Sequence, residues 1–200
     1  MTAIKICGIF RDCDTEYINT AMPDFTGFVF YPKSHRYVSD KTAESLKSKI
    51  KSGIKTVGVF VNDSPSHISS LYSQGLIDII QLHGDEDNAY IHKLKHEIPA
   101  SVIWKAFKIK SENDIKSAKE SIADSVILDN GYGTGKCFDW SLINDFNRKF
   151  IMAGGLNPEN VRNAIERFHP WAVDLSSGVE TNNVKDYKKI QSAVKNVKQI

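Results

Sequence analysis

The feature that most constrains the fold of this chain is a strand-like segment that recurs eight times at a nearly constant interval. The segments begin near Ile4, Thr26, Lys55, Ile77, Ser101, Ser125, Phe150 and Ala172. Successive starts lie 22 to 29 residues apart, which is the length of one strand, one helix and their connections. Runs such as Val57-Gly58-Val59-Phe60-Val61 lack simple alternation, as expected for parallel strands that are covered on both faces.

Helix signals fill the intervals between these segments. Ser111-Glu112-Asn113-Asp114 is a capping-box pattern, and Asp63-Ser64-Pro65 combines a capping residue with a first-turn proline. Asn157-Pro158-Glu159 predicts another helix start of the same kind. From Lys185 to Val197, apolar residues recur at spacings of three and four, which predicts a final amphipathic helix.

Eight such units predict an α/β fold, a (β/α)8 TIM barrel, in preference to an open doubly wound sheet. The chain of 200 residues is long enough for one sizeable core. Because no linker-like segment divides it, we expect one domain over residues 1–200.

Composition limits the classes of function. The formal net charge is +2 without a basic block, so nucleic-acid binding is not indicated. No apolar run is long enough for a membrane helix, and Met1 to Cys7 do not resemble a signal peptide, so we expect a cytoplasmic protein that makes no membrane contact. Cys7, Cys13 and Cys137 lack metal-type spacing and are expected to be free thiols.

Two glycine-rich stretches follow the last two strand-like segments. Ala153-Gly154-Gly155-Leu156 comes after the seventh segment, and Ser176-Ser177-Gly178 comes after the eighth. In a (β/α)8 barrel these loops are the usual phosphate site, where bare backbone N–H groups and the dipole of a following helix attract the anion. The alternative is that the glycines only form tight turns.

Two residues at other strand ends have side chains suited to moving a proton. Cys7 ends the first segment and Asp129 ends the sixth. Taken singly, a buried cysteine is often an inert small apolar residue, and an aspartate after a strand is often a turn residue. Facing one pocket, however, a thiol and a carboxylic acid form a general-base and general-acid pair.

The strand ends closely resemble those of the phosphoribosylanthranilate isomerase family. The similar segments are KICGI, GFVFYPKSHRYVS, VGVFVN, IDIIQLHGDE, LDNGYGTGKCFDW, MAGGLNPENV and AVDLSSGVE. They occur in the family's order and extend from Lys5 to about Asp186. The resemblance implies an enzyme of tryptophan biosynthesis, a branch of aromatic amino acid biosynthesis, that performs an Amadori rearrangement on N-(5-phosphoribosyl)anthranilate, a small phosphosugar.

The resemblance also implies roles for individual residues. Asp129 is expected to protonate the ribose ring oxygen as the general acid, and Cys7 to remove the C2 proton as the general base. As an acid near neutral pH, Asp129 would need a pKa well above its ordinary value, whereas a thiol would need less adjustment. Arg36 is expected to bind the anthranilate carboxylate. His83 either lies near the opened sugar or packs behind the site.

The remaining substrate-binding residues implied by the resemblance fall into two groups. The residues expected to hold the phosphate are Gly154, Gly155, Ser176, Ser177 and Gly178. The residues expected to line the mouth of the site as a mobile loop are Gly133, Thr134 and Gly135. No metal and no other cofactor are expected, and the protein is expected to be a monomer or a homodimer.

This chain departs from the family pattern around these residues. His35 replaces a proline before Arg36, and Asn182-Asn183 replaces a Pro-Gly turn that asparagine's tolerance of left-handed backbone can preserve. Asn130, Tyr132 and Cys137 depart from the pattern around the glycine loop. Two alternatives remain at this point: another phosphosugar barrel enzyme, such as indole-glycerol-phosphate synthase or ribulose-phosphate epimerase, and a non-catalytic phosphate-binding barrel.

Overall fold

A computed structural model of the chain describes residues 1–129, 143 and 146–199. In these residues eight parallel strands pair in chain order, and the last strand pairs with the first to close a barrel. The strands are β1 (Ala3–Cys7), β2 (Phe25–Val29), β3 (Lys55–Phe60), β4 (Ile79–Leu82), β5 (Ile103–Lys108), β6 (Ser125–Asp129), β7 (Phe150–Met152) and β8 (Ala172–Leu175). The predicted (β/α)8 barrel is confirmed, and each strand begins within two residues of its predicted start.

Helices follow most of the strands and cover the outside of the barrel. They are α1 (Asp12–Ala21), α2 (Asp40–Lys47), α3 (Pro65–Ser73), α4 (Asn88–Glu97), α5 (Glu112–Glu120), α6 (Val161–Phe168) and α7 (Tyr187–Lys198). After β8 the chain makes a 3-10 turn (Ser177–Val179) and a short antiparallel hairpin of β9 (Glu180–Thr181) and β10 (Val184–Lys185). Among the helices of the described residues, none has the length and apolar character needed to cross a membrane.

Two of the predicted helix starts are confirmed by their caps. The Ser64 hydroxyl accepts a hydrogen bond from the backbone N–H of His67, and Pro65 occupies the first turn of α3. Ser111 and Asp114 form the predicted capping box at the start of α5. These polar side chains satisfy backbone N–H groups that the first turn of a helix leaves without partners.

Two helix starts were predicted too early in the chain. The Asn157 side chain accepts hydrogen bonds from the backbone N–H groups of Glu159 and Asn160, so it caps a turn, and α6 begins only at Val161. The final helix begins at Tyr187, because Asp186 caps it. Lys185 therefore lies in β10 instead of the helix, and its side chain is buried.

The hairpin turn after β8 has the left-handed backbone that the sequence predicts for its two asparagines. Asn182 has a φ of 52° and Asn183 a φ of 62°. Both values lie in the left-handed region, which asparagine enters at lower cost than most residues. The turn therefore forms without the proline and glycine that the family pattern has there.

The floor of the barrel interior is apolar and aromatic. Phe25, Trp104 and Trp171 meet edge to face, with ring centroids 5.1 to 6.0 Å apart. Trp104 is almost completely buried, although it lies in a strand whose outer face also packs against helices. Aromatic pairs in this geometry add about 0.5–1.5 kcal/mol each beyond the apolar area they bury. The floor thus closes the barrel at the N-terminal ends of the strands and stabilises it.

Polar side chains replace apolar ones toward the middle of the barrel. Lys5, Gln81 and Asp174 are buried, and each lies in a strand whose neighbouring residues in sequence are apolar. Lys5 pairs in register with Asp174, so their side chains enter the interior side by side. The interior is therefore apolar at the floor and polar below the mouth.

Replacing the central aromatic residue of the floor tests this account of stability. We expect Trp104→Ala to lower the free energy of unfolding by about 3–5 kcal/mol, because it opens a cavity that the strands cannot fill. Urea unfolding followed by circular dichroism measures the change. The matched control is Val102→Ala, at a residue that is 39% exposed two positions earlier, which should stay within about 0.5 kcal/mol of the parent. An equal loss of unfolding free energy in the two variants would contradict the role of the aromatic floor in stability.

Candidate active site

A cavity of about 220 Å³ opens at the C-terminal ends of the strands. The described residues that line it come from the ends of β1, β2, β3, β4, β6, β7 and β8 and from the loops that follow. The polar ones are Cys7, Tyr31, Ser34, Arg36, Gln81, His83, Asp129, Asp174, Ser176 and Ser177. Catalytic sites of (β/α)8 barrels lie at this end, because the loops there can vary without disturbing the strands.

Cys7 and Asp129 line this cavity together, although 122 positions separate them in the sequence. Cys7 is the last residue of β1, and Asp129 is the last residue of β6, which is separated from β1 by β7 and β8. Burial raises the pKa of the Cys7 thiol, and the nearby Lys5 ammonium opposes this rise only in part. The barrel interior therefore disfavours the bare thiolate, and a base at this position needs a nearby positive charge.

His83 lies beside Asp129. Its Nε2 atom is 3.4 Å from Oδ2 of Asp129, and its Nδ1 atom is 3.0 Å from Nε2 of Gln81. With the Gln81 amide donating to Nδ1, a neutral His83 carries its proton on Nε2 and presents it to the carboxylate. His83 therefore contacts the candidate acid directly.

The loop that carries His83 is held in place by one buried carboxylate. Glu86 accepts hydrogen bonds from the backbone N–H of Asn62 at 2.7 Å and of Gly84 at 2.9 Å. Its Oε2 atom also lies 3.2 Å from Nζ of Lys105, a buried residue of β5. Because these contacts join the loops after β3 and β4 to the middle of β5, they fix the backbone directly after His83.

Arg36 reaches the cavity from the loop after β2 and is fixed by Glu180. Nε and Nη2 of Arg36 donate to the two carboxylate oxygens of Glu180, each at 2.7 Å. The stem of Arg36 packs over Gly8, where a Cβ would overlap its Cδ atom and where the φ of +77° also favours glycine. Two of the five guanidinium N–H groups are used in this pair, so Arg36 keeps donors for a second carboxylate.

Glu180 also binds Lys185, so one carboxylate holds two cations. Nζ of Lys185 lies 2.5 Å from Oε1 of Glu180 and donates to the carbonyl oxygen of Ser176 at 3.1 Å. Burial alone would raise the pKa of Glu180, but Arg36 and Lys185 outweigh it and hold the pKa at about 2. The hairpin after β8 is thus tied to the loop after β2 at neutral pH.

The exposed His35 lies on the outer side of this cluster. Its Nε2 atom is 3.9 Å from Oε2 of Glu180, and burial together with the Arg36 charge lowers its pKa. A neutral His35 adds little to the pair at that distance. The proline-to-histidine departure therefore leaves the bidentate contact between Arg36 and Glu180 intact.

The two glycine-rich loops meet at the cavity, as the sequence predicts. Gly154, Gly155, Ser176 and Ser177 all line it. The Ser176 hydroxyl donates to the carbonyl oxygen of Cys7 at 3.1 Å, which joins the end of β8 to the end of β1. The Ser176 side chain therefore helps to fix a loop that lines the cavity.

Gly178 does not line the cavity with the other four residues. A Cβ at this position would overlap the carbonyl oxygen of Leu156, so the glycine allows the two loops to pack against each other. The helix that follows this loop is only the three-residue turn Ser177–Val179. In this loop, backbone N–H groups rather than a helix dipole are the groups suited to attract an anion.

The predicted loop residues Gly133, Thr134 and Gly135 lie outside the described residues, as do Tyr132 and Cys137. Conversely, the structure places four charged residues in or beside the site to which the sequence analysis assigned no role: Lys5, Asp174, Glu180 and Lys185. Lys5 and Asp174 carry a signal that could have marked them, namely a charge in the centre of an apolar strand. Glu180 and Lys185 carry no such signal, because their importance depends on contacts made through the folded hairpin.

Comparison with known proteins identifies the family. The profile of N-(5'phosphoribosyl)anthranilate (PRA) isomerase matches residues 4–196. The chain belongs to this family. An N-(5'-phosphoribosyl)anthranilate isomerase of Endomicrobium trichonymphae is 44% identical over 200 residues, which are 98% of this chain and 98% of that protein. A second one, from Thermoanaerobacter sp. (strain X514), is 42% identical over the full length of both chains.

Solved structures of phosphoribosylanthranilate isomerases have the same fold. Monomers generated from the dimeric isomerase of Thermotoga maritima match over 100% of both chains, with 38% identity and a TM-score of 0.88. An isomerase in complex with reduced 1-(o-carboxyphenylamino)-1-deoxyribulose 5-phosphate matches over 100% of both chains, with 37% identity and a TM-score of 0.86.

Membership of the family settles the class of function. The chain is an enzyme of tryptophan biosynthesis, an isomerase that converts N-(5-phosphoribosyl)anthranilate to 1-(2-carboxyphenylamino)-1-deoxyribulose 5-phosphate. It acts on a small-molecule phosphosugar. A non-catalytic phosphate-binding barrel is not favoured, because relatives that match over almost the whole chain are isomerases.

Within residues 1–129, 143 and 146–199, no group of three or more His, Cys, Asp or Glu side chains is arranged to hold a metal ion.

The ion pair between Arg36 and Glu180 makes the stability of the isomerase depend on pH in the acidic range. The pKa of Glu180 is about 2, below its ordinary value of 4.5. Its carboxylate therefore contributes stability above about pH 4.5 and loses that contribution as the pH falls toward 2. We expect Glu180→Gln to lower the free energy of unfolding by about 3–5 kcal/mol at pH 7, because the buried Lys185 and the partly buried Arg36 both lose their partner.

The difference in the free energy of unfolding between the parent and Glu180→Gln should shrink by roughly 2 kcal/mol when urea unfolding is repeated at pH 3. Groups that titrate equally in both proteins cancel in this comparison. The control is Glu159→Gln, at an exposed residue, which should differ little from the parent at either pH. A Glu180→Gln difference that stays constant with pH would exclude the ion-pair explanation.

Proposed function

We propose that Asp129 is the general acid and Cys7 the general base of the isomerase reaction. The observation that carries this proposal is that the ends of β1 and β6 bring the thiol and the carboxyl group to one cavity, beside the two glycine-rich loops. An acid and a base on different sides of one substrate can act in sequence without exchanging protons with each other. The resemblance of both strand ends to the family pattern supports the same assignment.

The reaction then proceeds in two proton transfers followed by a tautomerisation. Protonated Asp129 gives its proton to the ribose ring oxygen, the bond from that oxygen to C1 breaks, and the anilino nitrogen supplies the electron pair that forms the iminium. The thiolate of Cys7 takes the C2 proton, and the electron pair of that C–H bond forms the C1–C2 double bond of a neutral enolamine. The enolamine becomes the ketone when C1 gains a proton and the C2 hydroxyl loses one.

The binding residues follow from the two ends of the substrate. Arg36 binds the anthranilate carboxylate, since its planar guanidinium matches a carboxylate and Glu180 already fixes its orientation. Backbone N–H groups of the loops at Gly154, Gly155, Ser176 and Ser177 bind the phosphate. His83, next to Asp129, orients the carboxyl group toward the ring oxygen. By resemblance, Gly133, Thr134 and Gly135 line the mouth.

We also propose that the isomerase works in the cytoplasm, without a metal or other cofactor, as a monomer or a homodimer. The chemistry requires only proton transfers, which side chains can perform, and this supports the absence of a cofactor. The related isomerase of Thermotoga maritima is dimeric. Sedimentation velocity over a range of protein concentrations distinguishes the two oligomeric states, and activity in EDTA tests the absence of a metal.

Substitution of the two proton-transferring residues tests the mechanism. We expect Cys7→Ser and Asp129→Asn each to lower kcat by at least ~100-fold, which is the usual contribution of a positioned acid or base. The reduced rearrangement product should bind both variants almost as tightly as it binds the parent. Turnover is followed by the fluorescence of freshly made substrate in EDTA, with a correction for its spontaneous decay.

The matched controls are Cys13→Ser, at a partly buried cysteine of α1, and Asp12→Asn, at an exposed aspartate of the same helix. Both control variants should retain nearly full activity. Near-normal turnover in Cys7→Ser or Asp129→Asn would remove that residue from the mechanism.

A different variant tests the recognition of the anthranilate end. We expect Arg36→Ala to raise the Kd of the reduced product by about 10- to 100-fold, because a charged hydrogen-bonded contact contributes about 1.5–3 kcal/mol. Isothermal titration calorimetry measures the change, with Arg162→Ala, on the exposed face of α6, as the control. The Kd of a ribose 5-phosphate fragment that lacks the anthranilate should be nearly the same in Arg36→Ala and parent. An equal loss for both ligands would show that Arg36 does not recognise the carboxylate.

A further inference from the structure

One buried ion pair lies directly below the mouth of the barrel and has no part in the reaction as described so far. Nζ of Lys5 on β1 is 2.7 Å from Oδ2 of Asp174 on β8. The Lys5 side chain is completely buried, and that of Asp174 is 7% exposed. Both residues lie in register in adjacent strands that point them into the barrel interior.

Stability does not explain why this pair is present. Removing two charges from water costs several kcal/mol for each ion, and the attraction within a buried pair often does no more than offset that cost. Apolar side chains of similar size stabilise a core at least as well. The floor of the same barrel, at Trp104 and Trp171, is filled in that way. The position of the charged pair therefore points to a role in the site above it.

The pair lies next to the sulfur of Cys7. Lys5 and Cys7 are two positions apart in β1, so their side chains extend from the same face of the strand. Both converge on Gly27 of the neighbouring strand. A Cβ built on Gly27 would lie 2.9 Å from Sγ of Cys7 and 3.2 Å from Cε of Lys5. Only the hydrogen atom of a glycine leaves room for the two side chains to occupy this place together.

The charges around Cys7 show which neighbour favours its ionised form. Burial is the largest influence and raises the pKa of the thiol, while Lys5 is the strongest influence that lowers it. Asp174 acts in the opposite direction, and Lys185 lowers the pKa more weakly than Lys5. Arg36 also interacts electrostatically with Cys7 from the loop after β2.

Lys5 itself remains charged in this position. Burial alone would lower its pKa, but the attraction of Asp174, with a smaller one from Cys7, raises the pKa above its ordinary value. Asp174 thus keeps the ammonium protonated in the barrel interior. A permanent positive charge is therefore available beside a sulfur atom that otherwise has a strong tendency to stay neutral.

We propose that Lys5 is a positioning residue of the isomerase reaction, whose buried ammonium, held by Asp174, stabilises the negative charge on the sulfur of Cys7. The proposal rests on the proposed role of Cys7 as the general base. The thiol first loses its proton to solvent, and the thiolate then takes the C2 proton of the iminium and becomes a neutral thiol again. Lys5 keeps its own protons throughout and favours the ionised state from which the transfer starts.

The test measures the ionisation of Cys7 itself. In a Cys13→Ser/Cys137→Ser background, Cys7 is the one remaining cysteine of the sequence. Its alkylation by iodoacetamide is followed as a function of pH in four proteins: the background, Lys5→Met, Lys5→Met/Asp174→Asn, and Lys108→Met. Lys108→Met removes an exposed positive charge at the C-terminal end of β5 and controls for a general change in the charge of the barrel mouth.

We expect the alkylation pKa of Cys7 to rise by at least about one pH unit in Lys5→Met and to stay unchanged in Lys108→Met. The rise should be smaller in the double variant, because Asp174→Asn also removes a negative charge that raises this pKa. Below that pKa the thiolate fraction then falls about tenfold, so kcat at pH 7 should fall about tenfold while KM stays within about twofold. The double variant leaves no unpaired buried charge, so it gives the answer if Lys5→Met alone fails to fold. Circular dichroism and urea unfolding establish that each protein is folded.

An unchanged alkylation profile in a folded Lys5 variant would overturn the proposal, and so would a fall in kcat without a change in that profile. The outcome is independent of the mechanism proposed above, which the activity of Cys7→Ser tests separately. If Cys7→Ser remained active, Cys7 would not be the base, and the alkylation profiles would still show whether Lys5 stabilises its thiolate.

Discussion

The closure of the barrel between β8 and β1 is the constraint on which the site depends. Neighbouring residues in register on parallel strands point to the same face, so this register decides which side chains enter the interior. It places Lys5 beside Asp174, and just beyond this pair the Ser176 hydroxyl reaches the carbonyl oxygen of Cys7. A shift of one residue in β1 would turn Lys5 and Cys7 toward the surrounding helices and remove them from the cavity.

The side chains that stabilise the barrel and those that line the site lie at different levels of its interior. The aromatic floor buries apolar surface, whereas the buried charges in the middle do little for stability. Directly above the pair, the interior opens into the cavity that Cys7 and Asp129 line. Charges act more strongly at such a boundary than in water, because the protein below excludes solvent and holds its dipoles in place. The barrel can therefore hold a cation close to a sulfur atom.

The loops at the mouth are joined to one another and not only to the strands that carry them. Glu180, in the hairpin after β8, holds Arg36 from the loop after β2, and Arg36 in turn crosses Gly8 after β1. Lys185 connects the same carboxylate to the backbone of Ser176. The residues proposed for the anthranilate carboxylate, the base and the phosphate thus depend on one cluster. This explains how the hairpin influences a site to which it adds no lining residue.

The sequence by itself determined the barrel, because eight strand-like runs at a regular interval leave few other ways to bury so many apolar segments. It also located Cys7, Asp129 and the two glycine-rich loops, since strand ends can be read from the chain and converge on one face of a barrel. Only the tertiary structure decided that Glu180 binds both Arg36 and Lys185, the latter in a strand instead of the predicted helix. It also showed that Gly178 allows the two glycine-rich loops to pack against each other. These contacts join residues that are distant in the chain, and their energies depend on distance and burial, which no local pattern of residues contains.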